Sequence, residues 1–179
     1  MTAPEYRQLR AFARIDGALL AVLMIASFAC YVVGLTSQLY GYFALTALVL
    51  MPFFAGVRLK RFRDMSLGGS ISFLRGWAYV CLMFFYGGLL LALAQYAYFA
   101  YMDHGYVAMT INDMISTPEV TKMIEQMNMA DYVSESMHLF QTMRPIDFAL
   151  NTLSMVIMTG MMLGMPIAAV VMKRVKGER

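Results

Sequence analysis

The residues with most capacity for chemistry lie close together, in MIEQMNM at 123–129 and at His138 just beyond. Thioether sulfur is a soft ligand. Met123, Met127 and Met129, with His138 between Met137 and Met143, offer the kind of donor set that holds Cu(I). Against this, the chain carries 19 methionines, and six in its last apolar segment follow no ligand spacing. Met123 and Met127 also fall on an apolar stripe, where gap-filling is an adequate role. Packing is the stronger reading, and no metal ligand is assigned. His104 and His138 are the only histidines, each near an acid, Asp103 and Glu135. They could share a zinc only if the fold joined them, and no HExxH pattern points that way. GxSxG, P-loop and GxGxxG motifs are missing too, which disfavours a hydrolase or transferase with its own centre. Cys30 and Cys81 sit inside apolar runs and read as small hydrophobes. No catalytic residue and no cofactor is assigned.

The elements that would position these residues belong to a membrane protein. Of 179 residues, 60% are hydrophobic and 14% charged, far from the balance of a soluble domain. Four apolar segments, at approximately residues 15–35, 41–57, 77–102 and 146–172, are long enough to cross a bilayer as helices. Residues 1–179 read as a single all-α membrane domain, a four-helix bundle with a helical insertion at 103–145 between spans three and four. Twelve of the fourteen basic residues fall on one side: the N-terminal arm, the loop between spans two and three, and the C-terminus with Lys173, Arg174, Lys176 and Arg179. The positive-inside rule makes that side cytoplasmic and both termini internal. The first apolar run continues through YVVGL past Cys30, so it reads as a retained anchor rather than a cleaved signal.

The loop RLKRFRDMSLGGSISFLRGW supplies a membrane-surface set, Arg58, Lys60, Arg61, Arg63 and Arg75, expected to lie against anionic headgroups. Gly68 and Gly69 break it, and Phe73, Leu74 and Trp77 are expected to enter the interface while Arg75 faces phosphates. Arg7, Arg10 and Arg14 share one helical face. On the opposite side, TPEVTKMIEQMNMADYVSESMHLFQTM at 117–143 reads as one amphipathic helix of a small cap. Thr117, Pro118 and Glu119 start it well. Val120, Met123, Ile124, Met127, Met137 and Phe140 fall at helical spacing and make a candidate partner-docking face. Acids outnumber Lys122 and Arg144 there, so attraction to anionic lipid is not its design.

Within the spans, Gly160, Gly164 and Ala168 form a small face, and Gly88 and Ala92 another, suited to close helix packing. Asp16 and Asp147 sit at span ends, with Arg14 or Arg58 available to the first and Arg144 to the second. Small multidrug exporters keep an embedded glutamate that this chain lacks. A transporter or lipid-handling protein would instead show a cavity lined by Gln95, Asn151 and Ser154.

SISFLRGW closing a basic loop, a long third span and TPEVTKMIEQM before the last one carry a resemblance over nearly the whole chain. The chain resembles the bacterial four-span membrane proteins grouped as domain of unknown function 4199. That resemblance implies a multi-pass protein of the bacterial inner membrane without assigned activity, associated with membrane glycosyltransferases of the polyprenyl-phosphate type. The expected function is a non-enzymatic accessory or scaffold subunit that anchors or stabilises such a partner. Membrane lipids and a protein partner or a second copy are the expected company, with no nucleic acid. The alternative is a small transporter or lipid-handling protein.

Overall fold

A computed structural model describes residues 3–173; Arg174, Lys176 and Arg179 lie outside the described residues. Seven helices follow in order: α1 (Ala3–Gly34), α2 (Gln38–Ser66), α3 (Phe73–Tyr101), α4 (Tyr106–Ile115), α5 (Pro118–Gln126), α6 (Ala130–Thr142) and α7 (Pro145–Val171). Four of them, α1, α2, α3 and α7, are long and apolar enough to cross a membrane. Helix α3 is central, packed extensively on α7 and on α1. Helix α2 leans mainly on α1 and only thinly on α7, so the bundle is splayed along that seam.

The spans extend further than their apolar runs. Helix α1 has 32 residues, about 48 Å at the usual rise, against a hydrocarbon core of about 30 Å. Its first turns form a stub in which Leu9 and Ala13 are buried while Arg7, Arg10 and Arg14 face out. The basic stretch after Val57 was expected as a surface segment, yet it continues α2 to Ser66. Met51, Ala55, Leu59 and Phe62 recur at threes and fours and are buried, and this stripe carries the helix onward. Phe62 stacks on Tyr79 at 4.7 Å and meets Phe12 at 5.3 Å. Gly68 and Gly69, at φ +62° and +87°, then end the helix as their sequence suggested. An isolated antiparallel bridge joins Ile71 to Lys173 in both directions, N–H to carbonyl, at 3.0 and 3.2 Å.

Small residues set the helix crossings. A methyl at Gly17 would meet the Met83 carbonyl oxygen at 2.7 Å and the Tyr86 Cβ at 2.8 Å, so α1 and α3 touch backbone to backbone there. At the α3–α7 seam, a methyl on Gly160 would collide with the Phe84 side chain, and one on Gly164 would meet Trp77 at 3.0 Å. Gly88 faces Val156, and Ala168 lies against Gly76. Ala92 is buried on α3. The small faces of α3 and α7 are therefore used within the chain.

Residues 117–143 do not form one helix. Asn128 adopts φ +53°, which stops α5 and lets α6 begin at Ala130. Asparagine tolerates the left-handed region better than most residues, and its neighbours' periodicity hid the break. Helices α4, α5 and α6 pack on one another as a three-piece cap. Asp103 starts α4 by accepting from the Gly105 and Val107 amides at 3.0 and 3.1 Å.

Candidate functional site

Three features stand out, one at each level of the bundle. At the end bearing the termini, Asp16 is buried, 3% exposed, between α2 and α3. Its carboxylate accepts from the Arg58 Nε at 2.8 Å, from the Arg58 Nη2, and from the Tyr79 hydroxyl. By helical rise Asp16 lies about 27 Å from the hairpin end of α1, near the far boundary of a hydrocarbon core. It sits near one end of the span and is enclosed by protein. Arg58 is its partner and Arg14 faces outward. Tyr79 was missed, since no spacing links 16, 58 and 79. A carboxylate held by one cation and one hydroxyl is a clamp across three helices.

One turn further toward the termini, Arg75 departs from its expected role. Its Nη1 donates to Glu5 at 3.3 Å, and its side chain is only 15% exposed, with Nε and Nη2 enclosed. It is turned inward against α1 rather than outward to phosphates. Trp77 is held against α7, donating its Nε1–H to the Met161 carbonyl oxygen at 3.0 Å. Phe73 and Leu74 do face outward. Of the remaining basic set, Lys60 and Arg61 are exposed, and Arg63 spans from Asp64 at 2.7 Å to the Val171 carbonyl at 2.8 Å.

In the half of the bundle nearest the cap, the splay between α2 and α7 leaves an apolar cleft of about 750 Å³, backed by α1 and α3. Met24, Leu45, Leu48, Met155 and Thr159 line it, and Tyr31, Gln38 and Tyr42 stand at its rim. Charged side chains are missing from its lining among the described residues. Gln95, Asn151 and Ser154, the residues expected around a transport cavity, do not line it. Ser154 donates to the Leu150 carbonyl of its own helix at 2.9 Å, and Gln95 is buried elsewhere on α3.

At the far end stands the cap. Phe140 of α6 meets Phe148 at 5.0 Å, and Phe148 stacks on Phe99 at 4.2 Å. Arg144 and Asp147 close the entry to α7 with a reciprocal cap and an ion pair at 3.0 Å. The proposed docking face is divided. Val120, Ile124, Met137 and Phe140 are partly covered, while Met123 and Met127 are 57% and 63% exposed. Tyr132 and Leu139, outside that stripe, are exposed as well. His138 lines a hollow of mixed character, about 430 Å³, with Glu125, Ser134, Ile124 and Val133, whereas His104 contacts the Met102 carbonyl instead. The two histidines do not share that hollow.

Four membrane-crossing helices, a clamp, a lipid-level cleft and a helical cap define a small integral membrane protein of all-α class. The chain belongs to the family described as "Protein of unknown function (DUF4199)", which it matches over residues 16–173. Neither the curated proteins nor the solved structures contain a match to it.

Proposed function

We propose that this protein is a non-enzymatic accessory or scaffold subunit of the bacterial inner membrane, with both termini cytoplasmic. Its partner is a membrane-associated enzyme, and a glycosyltransferase of the polyprenyl-phosphate type is the candidate that the family resemblance suggests. The observation that carries this reading is the cap. Helices α4–α6 stand on the end of the bundle with Met109, Met123, Met127, Tyr132 and Leu139 all exposed on a segment outside the apolar spans. Apolar surface rimmed by acids such as Glu119, Glu125 and Glu135 fits a protein partner better than an anionic headgroup layer.

Native mass spectrometry of the protein, extracted gently from its host membrane, tests the reading. A companion protein in fixed stoichiometry is expected, and it should be lost when Met123 and Met127 are both changed to Glu. A chain that travels alone, or a companion indifferent to those two changes, overturns it. The cleft favours a second reading, lipid handling, over solute transport, because its lining is apolar and lies at hydrocarbon depth.

A further inference from the structure

We infer that the α2–α7 cleft is a binding site for one acyl chain of a membrane phospholipid, held without preference for its headgroup. The medium around a membrane span is hydrocarbon, so an open apolar cleft there is filled by whatever chain fits best. At about 750 Å³ the cleft has the size of a typical ligand pocket. Along α2 it runs from Gln38 to Met51, roughly 20 Å by helical rise. One leaflet of a ~30 Å core is about 15 Å deep, so the cleft accommodates a single chain lying along the helices.

Three of its polar side chains are already engaged with one another or with backbone. Ser27 donates to the Ala44 carbonyl at 3.0 Å, and Gln38 donates to the Tyr42 hydroxyl at 2.8 Å. The rim of Tyr31, Gln38 and Tyr42 is uncharged, and Met114 of α4 closes over it from the cap. Such a rim supplies no cation to prefer one phosphate headgroup over another.

A partner helix fits this cleft poorly. Helices approach closely in membranes through small residues. Those of α7 are spent on α3, and Gly34 is spent on Gly41, where a methyl would meet the backbone nitrogen at 2.7 Å. What remains at the mouth is Leu45, Leu48 and Met155, flexible side chains that can close around a chain. A polyprenyl chain long enough to cross both leaflets would overrun a cleft confined to one half of the bundle.

The test is native mass spectrometry of the full chain released from bilayer discs of phosphatidylcholine and phosphatidylglycerol in equal amounts, with identical chains. One lipid per protein is expected, drawn evenly from the two headgroups. Leu48→Trp fills the cleft and should lower lipid retention about tenfold, whereas Leu93→Trp, exposed on α3 away from the cleft, should leave it unchanged. Retention of one headgroup alone overturns the inference without recourse to any variant. So does displacement of the phospholipid by added polyprenyl phosphate, a homodimer without lipid, or indifference to Leu48→Trp.

Discussion

Asp16 shows what one side chain does for this bundle. It ties α1 to α2 through Arg58 and to α3 through Tyr79, and all three groups are largely out of water. Removing one member of a buried pair strands the other, a loss of about 3–5 kcal/mol. Asp16→Ala should therefore destabilise the protein by about that much in thermal unfolding in detergent, with Arg58→Ala costing a comparable amount. The double variant should cost less than the sum of the two, because neither charge is then left alone. Tyr79→Phe removes a single hydroxyl from a charged acceptor and should cost about 1.5–3 kcal/mol. Half of this arrangement was legible beforehand. Asp16 and Arg58 are rare charges at matching depths, so sequence can pair them, but a tyrosine among eleven carries no mark that separates it from its neighbours.

Helices were the most readable level. Hydropathy and length located all four spans, and the small faces on α3 and α7 were visible as spacings of four. The reach of α1 and α2 beyond the apolar runs was harder to see, since basic residues on the outer face mask the buried stripe of Leu59 and Phe62 beneath. The α5–α6 break was hidden for a different reason. A helical period continues through the sequence there, and the break turns on the positive φ at Asn128. Asn128→Val should cost about 1–2 kcal/mol, since a branched side chain resists the left-handed region. Hydrogen exchange should show the loss confined to α5 and α6, with α1–α3 and α7 unaffected. Gly160→Leu belongs to this scale too. Its side chain must displace Phe84 from the α3–α7 seam, an overpacking cost of about 1–3 kcal/mol read by the same thermal assay.

Over the whole molecule, charge asymmetry was the informative feature, and it yields a prediction about sidedness. On the proposed orientation, a cysteine placed at Ser136 in the cap should react with an impermeant maleimide in cells whose membrane is sealed. One at Ser70, beside the glycine turn of the opposite end, should react only after that membrane is opened. The reverse pattern would invert the orientation proposed for every surface. The cleft was illegible at this scale because it arises from a gap. Hydropathy reports which helices meet lipid, while the angle at which α2 leaves α7 depends on crossings at Gly17, Gly34 and Gly41 that are set jointly.

The lone tryptophan gives the molecule a built-in optical gauge. Trp77 donates its indole N–H to the Met161 carbonyl across the α3–α7 seam and rests against Gly164. Emission from this one fluorophore therefore tracks whether these two helices remain joined. Refolding, cap disruption and cleft filling can each be followed in the unlabelled chain, and an event that shifts the emission has reached the central seam.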